Sequence, residues 1–312
     1  MAKPLTRLAR TILNRMGYDL LRLQKTNIHH EARSGLGRGE GFDAFEAILP
    51  RPVKSFDIYF RCCARVEIFG QSRNRIVDVF KQELIARCLN RLIQSVNHAL
   101  SHRTDIAVTV RVMDDHSDAG CVKQIKMLLD RAHCKTNLIS LDVTGNGPSV
   151  GAALRHAKAN VSDVVYFVED DYLHAPHAIY EMIESYERLA AAVGGEDVVL
   201  FPSDYPDRYR TVEPSLILLG SHRHWRSVPS TTFTCVTTKG LLGRFWDCYI
   251  GLEKYGLDPE VTEASTINRI YREVLCFSPL KSLAVHLQHF DTLAPYVDWR
   301  NWWQQSAIDD NS

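Results

Sequence analysis

Val164-Val165-Tyr166-Phe167-Val168-Glu169-Asp170-Asp171 decides the fold. Five apolar residues run without alternation, as in a strand buried on both faces of a helix-covered parallel sheet. Three acids follow at once. On either side of this run strands and helices alternate. The β-branched run Ile106–Met113 predicts a strand, as do Phe56–Phe60, Asn137–Val143 and Val198–Pro202. Between them, helical spacing predicts helices over Ile76–Leu100, Cys121–Ala132, Pro148–Ala159 and Pro176–Ala191. Pro148 and Pro176 suit a first helical turn, where no N–H is needed. The β-α-β-α order implies an α/β fold with a largely parallel sheet and helices on both faces.

Ligands of such sheets bind at the carboxyl ends of the strands. Two acidic clusters fall there: Asp114-Asp115-His116-Ser117-Asp118 after the second strand, and Glu169-Asp170-Asp171 after the fourth. Adjacent carboxylates repel one another unless a cation or hydrogen-bond donors compensate. Hard oxygen ligands suit Mg²⁺ or Mn²⁺, which share their shell with substrate phosphates. The implied chemistry is a metal–diphosphate site. The bland alternatives are a solvated turn for the triplet and an Asp-rich helix cap for the earlier cluster.

Three segments together resemble a glycosyltransferase of the GT-A fold, close to the family 2 type. Val-Arg-Val-Met-Asp114-Asp115-His-Ser117-Asp118-Ala-Gly is similar to that family's strand ending in Asp-Asp-x-Ser-x-Asp-Gly. Gly145-Asn146-Gly147-Pro-Ser-Val-Gly151 resembles its Asn-x-Gly helix start. Val-Val-Tyr-Phe-Val-Glu169-Asp170-Asp171 resembles the strand into its metal-binding triplet. Ser282-Leu-Ala-Val-His286 is similar, more loosely, to a late histidine strand.

The resemblance implies that Asp114, Asp115, Asn146, Gly147, Glu169 and Asp170 serve a nucleotide-sugar donor. It implies that Asp171, with His286, holds Mn²⁺ or Mg²⁺ in a DXD-like site. His286 reads equally as a packed strand histidine. The first strand ends in Tyr-Phe-Arg61-Cys-Cys-Ala-Arg65 instead of the family's Pro-Thr-x-Asn, and the triplet is Glu-Asp-Asp instead of Asp-x-Asp. Arg61 reads as a phosphate partner or as structural.

Beyond residue 203 lies the expected acceptor half. Ser203-Asp204-Tyr205-Pro206-Asp207-Arg208-Tyr209 is turn-prone, and Ser230–Val236 predicts a strand. Trp225 reads either as an aromatic platform for an acceptor sugar or as core. Thr262-Glu263-Ala-Ser-Thr-Ile reads as a capped helix start. An inverting transferase needs a carboxylate to deprotonate the acceptor hydroxyl. Glu263 is the first candidate, with Asp204 and Glu260 behind it. Helix-dipole preference alone would also place an acid there.

The chain has 312 residues, with 37 Lys and Arg balanced by 37 Asp and Glu. A zero net charge argues against nucleic acid as the partner. Eight cysteines include no C-x-x-C pair, which argues against a zinc ribbon and for reduced thiols in a cytoplasmic protein. No apolar run is long enough to span a membrane. Residues 3–24 repeat apolar residues at helical spacing. Residues 1–38 hold eight Lys and Arg against Asp19 and Glu31. That predicts a basic amphipathic helix for peripheral membrane contact, or one packed on protein. Glycines at 35, 37, 39 and 41 predict a linker. The expected organisation is an N-terminal segment over 1–50, a GT-A domain over 51–300 divided near 203/204, and a tail over 301–312. The expected acceptor is a glycan, a lipid-linked group or another hydroxyl compound in surface polysaccharide or glycan synthesis. Gly145-x-Gly147-x-x-x-Gly151, with Glu169 twenty-four residues after Gly145, also permits a dinucleotide-binding enzyme. An inactive GT-A-fold binding module is the remaining reading.

Overall fold

The structure, a computed structural model, describes residues 51–64, 76–210, 212 and 214–308. The expected basic helix over 3–24 and the glycine linker lie outside the described residues.

The strands are β1 (Ser55–Cys62), β2 (Ala107–Asp114), β3 (Lys135–Ser140), β4 (Val164–Glu169), β5 (Tyr172–His174), β6 (Val199–Leu200), β7 (Ile217–Leu219), β8 (His224–Ser227), β9 (Cys235–Thr238), β10 (Cys276–Pro279) and β11 (Ala284–His286). The helices are α1 (Lys81–His102), α2 (Ala119–Leu129), α3 (Asn146–Asn160), α4 (Ala178–Ala192), α5 (Lys239–Arg244), α6 (Trp246–Ile250) and α7 (Trp299–Gln305). A nine-stranded sheet runs β3-β2-β1-β4-β9-β6-β10-β8-β7, and β5 pairs with β11 apart from it. The first four strands are parallel. In the second half β9 enters antiparallel between β4 and β6, and β7 and β8 form an antiparallel edge. One sheet thus spans both expected halves.

Alternate residues of β1 and β4 serve opposite cores. Phe56, Ile58, Phe60, Tyr166 and Val168 face the side covered by α1, α2 and α4. Tyr59, Val165 and Phe167 face the side covered by α3, α5 and α6. This double burial is what the unbroken apolar run encodes. The register sets Cys62 beside Asp114 and Arg61 beside Glu169, so three strands end on one edge.

Three element boundaries differ most from expectation. The helix expected from Ile76 begins at Lys81. Val77, with Ile76 and Val79, packs against the core ahead of the helix, and this mimics helical periodicity. The strand expected over 230–236 begins at Cys235. Thr231, Thr232 and Thr234 spend their hydroxyls on Tyr271, Tyr172 and Glu169, in place of a regular ladder. The helix expected from Thr262 is a turn. Ser265 and Thr266 hydroxyls donate back to the Thr262 carbonyl, and the following residues Ile267–Arg272 form a 3₁₀ helix.

Candidate active site

Each acid of the triplet has its own partner. Glu169 accepts from Arg61 at 2.8 Å and from the Thr234 hydroxyl at 3.4 Å. Burial pushes its carboxyl up, against the pull of Arg61. Asp170 is ion-paired to Lys81, the first residue of α1, at 2.5 Å, and also accepts from the Cys63 N–H at 3.2 Å. Burial would pull the Lys81 ammonium down, but Asp170 and Asp171 hold it above its ordinary value. Asp171 Oδ2 meets His286 Nε2 at 3.2 Å, while its Oδ1 is buried with no hydrogen-bond partner. Burial alone would raise the Asp171 carboxyl. His286, with Lys81 and Arg61, outweighs burial and holds it well below the usual carboxylate range.

A short strand pair places the histidine. β5 starts one residue after Asp171, and β11 returns antiparallel so that His286 lies opposite Tyr172. The Leu287 N–H donates to the Asp171 carbonyl at 2.9 Å, fixing the register there. Burial pulls the His286 imidazole down, but Asp171 beside it wins and raises it.

Asp114 and Asp115 are each 2 % exposed. Asp115 accepts from the Gly145 N–H at 2.8 Å and meets His116 Nδ1 at 3.0 Å, tying the end of β2 to the start of α3. Asp114 accepts from the Ser117 N–H at 3.3 Å, and Asp118 caps α2 through the Cys121 N–H at 3.0 Å. Arg61 also donates to Ser149 of α3 at 3.1 Å, so it links β1, α3 and the first acid of the triplet.

Gly145 has φ +106°, a conformation that disfavours a side chain. A Cβ on Gly147 would sit 2.2 Å from the Glu253 carbonyl oxygen and 2.5 Å from that of Tyr255. A Cβ on Gly151 would meet the Glu253 side chain at 2.8 Å. Gly147 and Gly151 therefore admit the close approach of the chain over 253–255.

Asn146, Glu169 and Glu263 line one pocket together with Val150, Phe233, Leu252 and Tyr255. The structure thus brings the first candidate base alongside an acid of the triplet. Asp204 is placed differently. It is 1 % exposed, receives Arg226 at 2.6 Å on one oxygen, and receives the Tyr209 hydroxyl on the other. Both oxygens are engaged, so Asp204 serves to hold the loop. Trp225, expected as an acceptor platform, is a correction too. It is fully buried in β8, between β7 and β10, and offers no face to a sugar.

Breaking a buried ion pair from one side leaves a charge stranded. Arg226→Met is accordingly expected to destabilise the fold by about 3–5 kcal/mol. Asp204→Asn should cost less, because the carboxamide oxygen still accepts from Arg226 while its NH2 can donate to the Tyr209 hydroxyl oxygen, so no carboxylate is stranded. Urea unfolding checks both. Equal losses for the two variants would show that packing, not the stranded carboxylate, sets the cost.

Sequence reasoning missed Lys81, Thr234, Tyr172 and Tyr205. No local motif marks them: Lys81, Thr234 and Tyr205 meet the site only through the tertiary fold, and Tyr172, next to the triplet in the chain, meets His286 through the β5–β11 pair. Tyr205 and Tyr172 lie against His286, and Lys81 reaches Asp170 from the start of α1.

The fold and the acid-lined edge define a nucleotide-diphospho-sugar transferase type of architecture, the GT-A fold. The glycosyl transferase family 2 model matches residues 75–249, more than half of the chain, and the chain belongs to that family. No curated protein matches the sequence. Among solved structures, TarS of S. aureus is similar at 15 % identity and TM-score 0.42, over 74 % of this chain and 36 % of that one. TarS 1–349 of S. aureus in complex with UDP-GlcNAc is similar at 14 % identity and TM-score 0.43, over 74 % of this chain and 57 % of that one. A UTP-bound UGPase from Acinetobacter baumannii is similar at 8 % identity and TM-score 0.43, over 81 % of this chain and 92 % of that one. The chain thus spans about a third to just over half of the TarS chains it matches.

Proposed function

We propose that this chain transfers a sugar from a nucleotide-diphosphate sugar to a hydroxyl acceptor, with inversion and with a divalent cation. The observation that carries the reading is the buried Asp171 Oδ1, left without a partner beside His286 at the carboxyl edge of the sheet. A buried, ionised oxygen without a donor is costly, and a cation is the natural remedy. One carboxylate and one imidazole suit Mn²⁺ or Mg²⁺ better than a thiolate-seeking metal. Among the described residues no group of three or more His, Cys, Asp or Glu is disposed to hold a metal ion. Asp171 and His286 would therefore share the cation with the donor's phosphates and with water. When bound, the cation supplies Lewis-acid stabilisation of the departing diphosphate.

The chain's own residues do the rest. Arg61 and Lys81 fix Glu169 and Asp170 in place. Asp114, Asp115, Asn146 and Gly147 form the wall proposed for the nucleotide. Glu263 takes the acceptor's hydroxyl proton as that oxygen bonds to the anomeric carbon, and the bond to the diphosphate breaks with its electron pair on the leaving oxygen. The acceptor is a glycan or lipid-linked hydroxyl compound. Contact with an anionic membrane through residues 3–24 belongs to this proposal. Among the described residues no helix is long and apolar enough to cross a membrane.

A panel of nucleotide sugars with Mn²⁺ tests the reading by nucleoside-diphosphate release. One donor is expected to be turned over slowly by water and faster once an acceptor is present. No release and no donor binding across the panel would overturn it. Donor binding without any release would favour the inactive module.

A further inference from the structure

His286 is held on three sides. Its Nε2 faces Asp171 Oδ2 at 3.2 Å, its Nδ1 meets the Tyr205 hydroxyl at 2.9 Å, and its ring stacks on Tyr172 at 4.5 Å and 11°. The hydroxyls continue as a run. Tyr205 OH lies 2.7 Å from Tyr172 OH, which lies 2.9 Å from the Thr232 hydroxyl. Tyr172 is fully buried and His286 is 7 % exposed. Phenylalanine would fill both tyrosine positions at nearly the same volume. Burying the Tyr172 phenol oxygen is costly unless it is bonded, and here it is bonded to the half-buried Tyr205, which in turn meets the imidazole.

We infer that Tyr205 is a positioning residue for His286, its hydroxyl orienting the imidazole so that Nε2 is offered to a cation shared with Asp171. Proton counting supports the role. A neutral imidazole carries one N–H, and a ring nitrogen that binds a cation must present a lone pair. For Nε2 to do so the proton sits on Nδ1 and is donated to the Tyr205 oxygen. Tyr205 then donates to Tyr172, and Tyr172 to Thr232. With the run reversed, Tyr205 donates to Nδ1, and Nε2–H donates to Asp171. Both polarities leave every bond between these groups satisfied, so the ring exchanges a carboxylate partner for a cation without losing its anchor. Outer partners of this kind fix ring orientation and tautomer, and their loss typically costs about 10–100-fold in metal affinity. The geometry also has a reach beyond the histidine. Tyr205 opens the 3₁₀ turn Pro206–Tyr209, whose last residue donates to Asp204, so the acceptor-side loop is tied to the cation side through one phenol.

This inference rests on the proposed cation site, and the test separates the two. Mn²⁺ binding is measured directly, by the paramagnetic resonance of free Mn²⁺ in the presence of UDP, for wild type, Asp171→Ala, Tyr205→Phe and Tyr172→Phe. Circular dichroism establishes that each variant is folded. Wild type is expected to bind Mn²⁺, and Asp171→Ala to lose that binding. Tyr205→Phe keeps the ring and should bind about 10–100-fold more weakly. Tyr172→Phe, one bond further out, should weaken binding in the same direction but less. At saturating Mn²⁺ the Tyr205→Phe kcat should return toward wild type. Wild-type Mn²⁺ affinity in a folded Tyr205→Phe would overturn the inference and leave the cation site standing. Equal Mn²⁺ binding by wild type and Asp171→Ala would overturn the cation site itself, and the inference with it.

Discussion

Asp171→Ala is expected to abolish sugar transfer, a loss of at least about 10³-fold, while the protein stays folded. A bound cation contributes several kcal/mol to stabilising transition-state charge, and about 1.4 kcal/mol corresponds to each factor of ten in rate. Asp171 is the acid whose buried oxygen has no protein donor to satisfy. Glu169 and Asp170 are each already neutralised, by Arg61 and Lys81. Removing Asp171 therefore takes away the one carboxylate with spare ligand capacity without stranding either basic side chain. Asp170→Ala makes the contrast. It would leave the Lys81 ammonium buried without its partner, so its loss of activity should come with a lower unfolding midpoint. Nucleoside-diphosphate release and urea midpoints measured on both variants check this. Full activity of wild type in EDTA would defeat the cation assignment, and so would unchanged turnover in Asp171→Ala.

The parallel half of the sheet was legible because one physical constraint writes it into a short stretch. A strand covered on both faces is written mostly in apolar residues, and its exit onto the ligand edge tolerates many polar ones. Val164–Val168 followed by three acids states both facts within eight residues. Trp225, which the sequence leaves open between platform and core, is core. His222-Arg223-His224-Trp225-Arg226 is polar around its one tryptophan, yet pairing of β8 with β7 and β10 buries the tryptophan while Arg226 is drawn inward by Asp204. Local polarity could not reveal it, since the compensating charge lies 22 residues away. Lys81 and Tyr205 were hidden for the same reason, 89 and 81 residues from the groups they hold. Charge pairs and phenol contacts formed by tertiary packing leave no periodicity behind. His286 was legible only through family resemblance, and the β5–β11 pair gives it a physical cause.

Glu263→Gln is expected to cut kcat by about 10²–10⁴-fold, the range for loss of a general base. The substitution keeps size and hydrogen bonding and removes the charge that accepts the acceptor's proton. In the chain Glu263 is remote from the triplet, but the fold sets it on the same pocket as Glu169 and Asn146. The two roles open to it there predict different kinetics. A base acts on the acceptor, so donor affinity with Mn²⁺ should hold while kcat falls. A donor contact would weaken donor binding and raise KM as well. The turn that carries Glu263 is secured by its backbone carbonyl, which accepts from Asn268 at 2.9 Å and Thr266 at 3.3 Å. Those bonds do not involve the side chain, so Glu263→Gln should leave stability unchanged. Donor affinity by calorimetry, kcat by product release and the urea midpoint together decide it. A fall in donor affinity matching the fall in rate would make Glu263 a donor ligand. No change in either would return it to a turn residue, and with Asp204 already held by Arg226 and Tyr209 the search for the base would move to Glu260.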